Sequence, residues 1–101
     1  MVNTNPDTSI SLCIPRVENN YNKDFILGVF NNCKLGVIDR VDIVPNHKEN
    51  AKFNRVFVHY KSINNVELLG RLQNGGSLKV VYSNPWFWKC IQSRIQKKNN
   101  L

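Results

Sequence analysis

The stretch KFNRVFVHYK, residues 52–61, alternates. Val56, Val58 and Tyr60 fall on one side, and Arg55, Phe57 and His59 on the other. Successive side chains of an extended chain point to opposite faces, so this period predicts a strand with one buried apolar face. The second set should meet water, yet it places a large aromatic between two nitrogen-rich side chains.

The same period recurs on either side. SISLCI, 9–14, sets Ile10, Leu12 and Ile14 against Ser11 and Cys13, and Pro15, which has no N–H for a ladder, is expected to end that strand. GVIDRVDIV, 36–44, sends Ile38, Val41 and Ile43 inward and Arg40, Asp42 and Val44 outward; the step from 38 to 41 implies a bulge or a late strand start. SLKVVYS, 77–83, turns Leu78, Val80 and Tyr82 inward and Lys79, Val81 and Ser83 outward. Between the strands the period changes to that of a helix. Ile26, Val29, Phe30 and Cys33 mark one over 22–35, with Asn22 as N-cap and Gly36 as stop. Val66, Leu69 and Leu72 mark another over 63–73, ended by Asn74-Gly75-Gly76. PNHKENAK, 45–52, reads as a flexible polar loop.

NPWFWKCIQSRIQKK, 84–98, fits two periods. Pro85 suits the first turn of a helix, Phe87, Ile91 and Ile95 are four apart, and Lys97 and Lys98 suit a helix C-terminus. As a strand, Trp86 and Trp88 would share one face and Phe87 the other. The expected organisation is a flexible tail at 1–8, a domain at 9–84 and an aromatic, basic, helical extension at 85–101.

The bulk numbers bound the function. A chain of 101 residues with 42% hydrophobic content makes one small domain with a single core. A formal net charge of +7 favours a polyanionic partner, nucleic acid before a membrane surface. Cys13, Cys33 and Cys90 are odd in number and far apart, which suits neither a disulfide framework nor a zinc site and points to a reducing, intracellular compartment. MVNTNPDTS has neither a basic nor an apolar signal region, and no apolar run reaches membrane-spanning length, so neither a secretory signal nor a membrane partner is expected.

The order β-α-β-β-α-β, with a final helix, predicts an α+β, ferredoxin-like fold: a four-stranded antiparallel sheet with two helices on one face. Residues 9–84 resemble the RNA recognition motif family. Leu12, Ile14 and Val17 of LCIPRV, 12–17, match its first strand motif; Cys13 stands where an aromatic belongs and Arg16 where Asn belongs. Phe57, Val58 and Tyr60 of FNRVFVHY, 53–60, match its second; Asn54 stands for Gly, Arg55 for the first stacking aromatic and Val56 for a small residue. The resemblance implies base stacking on the exposed sheet face. SLCIPRV, VDIV, RVFVHY and PWFWK also resemble short proteins of large DNA viruses, which implies a viral source and a location in host cytoplasm, nucleus or virion.

The expected interface is therefore Phe57, Arg55, His59 and Lys79 on the sheet, with Cys13, Arg16 and Arg40 beside them. Trp86, Trp88 and Lys89 would form a stacking platform or a protein-interface anchor, with one tryptophan capping the end of the core and the other exposed. The expected ligand is single-stranded RNA or DNA, held with little sequence preference; the alternative is a protein partner or a second copy of the chain. A C-terminal helix laying Phe87, Ile91 and Ile95 on the sheet would instead cover Phe57. No enzyme, metal or cofactor is expected: His47 stands alone in its loop, and Cys13 with His59 has no third orienting group.

Overall fold

The structure is a computed structural model that describes residues 9–93. The elements are β1 (Ile10–Glu18), α1 (Lys23–Cys33), β2 (Gly36–Val44), β3 (Phe53–Ile63), α2 (Val66–Gln73), β4 (Ser77–Ser83) and β5 (Trp86–Gln92). They form an α+β domain with one five-stranded sheet, ordered β2-β3-β1-β5-β4 and antiparallel throughout.

The alternation of β3 builds the centre of the core. Val56, Val58 and Tyr60 are fully buried, and so are their partners on β1, Ile14 opposite Val56 and Leu12 opposite Val58. Ile26 and Phe30 of α1 and Leu68, Leu69 and Leu72 of α2 join the same cluster, so both helices cover that one face. Each such side chain contributes about 1.5–3 kcal/mol when withdrawn from water.

Local signals set the helix ends. Phe25 N donates to Asn22 Oδ1 at 2.8 Å, and Leu68 N donates to Asn65 Oδ1 at 3.0 Å. α1 stops at Lys34, which adopts the left-handed conformation (φ 55°, ψ 45°), not at Gly36 as expected. Gly36 opens β2, where a Cβ would collide with the Ser62 carbonyl oxygen. In α2 the buried stripe is Leu68, Leu69 and Leu72, while Val66, expected inside, is 77% exposed in the first turn.

Three expectations about the strands require correction. Pro15 does not end β1. The ladder steps from Ile14↔Val56 to Val17↔Asn54, three residues on β1 against two on β3, and this bulge absorbs the missing N–H and lets the strand continue to Glu18. The sheet has five strands and not four. The expected C-terminal helix is, over Trp86–Gln92, the strand β5, joined to β4 across Asn84 and a cis-Pro85. Extension lets 86–92 pair with β4 along its length and with β1 at Leu12↔Gln92 and Cys13↔Ile91. A helix would leave that side of β1 without partners. Extension also buries Trp88, stacked on Tyr82 (4.3 Å, 16°) and on Phe30 (6.2 Å, 11°). The tail at 1–8 and the positions of Ile95, Lys97 and Lys98 lie outside the described residues.

Candidate functional site

The face away from the helices carries the candidate site. One row crosses all five strands: Asp42, Phe57, Cys13, Ile91 and Ser77, each opposite the next. Arg40, His59 and Ser11 form a second row. Towards the β4–β5 turn the pairs are Lys79 with Lys89 and Val81 with Phe87. The strand alternative for 86–92 thus adds Phe87, Lys89 and Ile91 to this face. Phe87 and Ile91, expected to cover the sheet from a helix, are components of it.

The aromatic content of the face exceeds the single ring legible in the sequence. Phe57 is half-buried beside His59 (centroids 6.4 Å apart), and Phe87 is 45% exposed with Lys79 Nζ 4.9 Å above its ring. Phe53, which shares the alternation of Arg55 and Phe57, lies under the Arg16 guanidinium at 5.5 Å. The two tryptophans part company: Trp88 is core, and Trp86 is 65% exposed at the hairpin end.

The cations divide by partner. Arg40 lies 3.1 Å from Asp42 and 3.8 Å from Asp39, which offsets its charge. Arg16, Arg55, Lys79 and Lys89 form no ion pair among the described residues. These four remain positive towards any ligand on the face.

His59 takes a different place from the one expected. It is 7% exposed, with Nδ1 2.6 Å from Ser11 Oγ and Nε2 2.9 Å from Asp42 Oδ2. Partial burial raises the Asp42 pKa, but hydrogen bonds from Arg40 and His59 outweigh this and hold the carboxyl below its ordinary range. An ionised Asp42 accepts, so Nε2 donates to it, while Nδ1 is engaged by the Ser11 hydroxyl. Asp42 is thus the third group that the sequence did not supply, and it orients His59 towards Ser11 and not Cys13. The order Asp42, His59, Ser11 is that of a base-activated serine, with Ser11 9% exposed. The chain braces β1, β2 and β3 together. Burial raises the Cys13 pKa and outweighs the lowering by Arg55, so this thiol stays protonated.

At one end of this face lies a cleft of about 450 Å³, bounded by the β1 bulge, the β2–β3 loop and the start of β3. Arg16 and Arg55 enter it, with His47 and Lys48 from the loop. Among the described residues no group of three His, Cys, Asp or Glu side chains is placed to hold a metal ion, and no helix is long and apolar enough to cross a membrane. In comparisons with protein-family models, curated proteins and solved structures, the chain matches none.

Proposed function

We propose that the domain binds single-stranded nucleic acid on its helix-free sheet face, without catalysing a reaction and with little sequence preference. The observation that carries this reading is the combination on one face of Phe57 and Phe87 with the unpaired Arg55, Lys79 and Lys89. Aromatic faces stack bases of any identity, and unpaired cations neutralise the backbone.

The topology supports the resemblance to the RNA recognition motif family. β1 and β2 are parallel with β3 between them, and β3 and β5 are parallel with β1 between them. This arrangement is compatible with a split βαβ sheet in which β5 takes the place of the fourth strand and β4 is added at the edge. RNA is the preferred ligand by this analogy; single-stranded DNA offers the same stacking and charge.

Titration of labelled single-stranded RNA and DNA at two salt concentrations tests the reading. Binding at low salt that weakens as salt rises is expected; no binding of either at low salt removes it.

A second reading, a protein-interaction or self-association module, is favoured by Trp86, exposed at the hairpin end, and by Val81, Phe87 and Ile91, exposed on the helix-free face. Sedimentation at several concentrations tests the homodimer, which a monomer at all of them excludes.

A further inference from the structure

The cleft at the β1 bulge has features that the sheet face lacks. The bulge turns two successive residues, Pro15 and Arg16, out of the sheet, and both line the cleft. Bulges commonly re-aim side chains at the margin of a sheet. Arg16 is then held over the Phe53 ring, which fixes its planar guanidinium.

The opposite wall is a tied loop. Lys48 N donates to Asn46 Oδ1 at 3.0 Å and Ala51 N to the Lys48 carbonyl at 3.2 Å. Asn19 holds the same loop through its backbone N–H, 3.0 Å from the Lys52 carbonyl, and its side-chain amide, 3.0 Å from the Ala51 carbonyl. The loop expected to be flexible thus places His47 and Lys48 across from Arg16 and Arg55.

Arg16, Lys48 and Arg55 are three cations around a single volume whose lining contains no carboxylate. An internal phosphodiester brings one negative charge; a phosphate monoester brings about 1.5 to 2 at neutral pH. Pro15, Val44 and Pro45 supply apolar wall beside the cations, which suits the sugar or base carrying that phosphate. The volume falls within the range of about 300–1,000 Å³ usual for small-molecule sites.

We infer that this cleft binds a nucleoside phosphate monoester, with Arg16, Lys48 and Arg55 on the phosphate. Two sources offer that chemistry: the phosphorylated end of a nucleic-acid strand whose remainder lies along Phe57, and a free mononucleotide. The strand-end source rests on the sheet-face reading; the mononucleotide source does not.

The test compares one short single-stranded RNA in three forms, with a 5′-phosphate, with a 3′-phosphate and with neither, alongside uridine and adenosine monophosphates. One phosphorylated form is expected to bind about tenfold tighter than the unphosphorylated form, the effect of one charge-assisted hydrogen bond. Arg16→Ala and Lys48→Ala, both at exposed positions, should each reduce that ratio. Phe57→Ala should weaken all three RNAs and leave the ratio unchanged. Equal binding of the three forms, without mononucleotide binding, overturns the inference and leaves the sheet-face reading intact. Mononucleotide binding that is sensitive to Arg16→Ala, without RNA binding, supports the cleft and removes the sheet-face reading. Absence of binding by every probe overturns both.

Discussion

Tyr82 of β4 donates its hydroxyl proton to the Glu18 carboxylate at the end of β1, at 2.7 Å. The other Glu18 oxygen accepts from Trp88 Nε1 at 3.3 Å. Past Cys13, β1 makes no further ladder pairs with β5, so Glu18 ties the β4–β5 hairpin to β1 where the ladder has ended. Partial burial raises the Glu18 pKa, yet the bonds from Tyr82, its own backbone and Trp88 outweigh this and lower it. The same bond, with burial behind it, pushes Tyr82 up to about 12.

Glu18→Gln should therefore flatten the acid limb of the stability curve. A carboxyl with a lowered folded pKa contributes stability above its unfolded pKa of about 4.3, and loses it as pH falls through the folded value. Tyr82 has the opposite sign: its contribution is full below about 10 and fades as pH rises towards 12. Urea unfolding from pH 7 down to pH 3 should show a smaller loss in Glu18→Gln than in the wild type. An identical acid limb in both would remove Glu18 from this role.

His59→Ala should destabilise by about 1–3 kcal/mol, because it leaves the buried Ser11 hydroxyl without its 2.6 Å partner. With both ring nitrogens engaged inside the protein, His59 should contribute little to ligand binding. Oligonucleotide affinity within about twofold of wild type is expected under conditions where the variant is folded. Loss of binding with unchanged stability would return His59 to the interface.

On the sheet face, rings and cations should separate by salt dependence. Phe57→Ala and Phe87→Ala should each weaken oligonucleotide binding by about 1–3 kcal/mol with the salt slope unchanged. Lys79→Ala and Lys89→Ala should each lower that slope by about one unit. An unaltered affinity in Phe87→Ala would confine stacking to β3.

The tryptophans should differ in stability. Trp88→Ala empties the centre of an aromatic cluster and should cost about 3–5 kcal/mol. Trp86→Ala, at the exposed start of β5, should stay within about 0.5 kcal/mol. Chemical denaturation of both variants decides; equal losses would contradict the burial of Trp88 alone.

Tyr60→Phe should be neutral or stabilising. Among the described residues, the Tyr60 hydroxyl is the buried side-chain oxygen without a hydrogen-bond partner, and burial raises its pKa. Removing an unsatisfied buried hydroxyl relieves up to about 1–3 kcal/mol of desolvation. A loss of stability in urea would indicate that this hydroxyl has a partner in solution.

The fold was legible wherever a segment had one dominant period. Val56, Val58 and Tyr60, with Leu12 and Ile14, are buried as their alternation predicts, and the step from Ile38 to Val41 does contain register irregularities. The candidate site was less legible. Arg55, Phe57, Lys79 and Cys13 lie on the face assigned to them, but Phe87 and Lys89 join it only because 86–92 is a strand. The braced His59 and the cleft at Arg16 left no signal in the sequence, since each depends on residues brought together across strands.

WFWKCIQ marks the division most clearly. Its apolar residues fit a helix through Phe87 and Ile91 and a strand through Trp86, Trp88 and Cys90, and local propensity does not separate the two. The sequence alone determined the alternating core strands, the existence of the two helices and the Asn22 cap, because those signals are carried by residues within a few positions of one another. Only the tertiary structure decided the state of 86–92, because the deciding partners are distant: the unpaired side of β1 and the apolar space between Phe30 and Tyr82. A strand is stable only when neighbours satisfy its backbone, and no short window of sequence contains those neighbours.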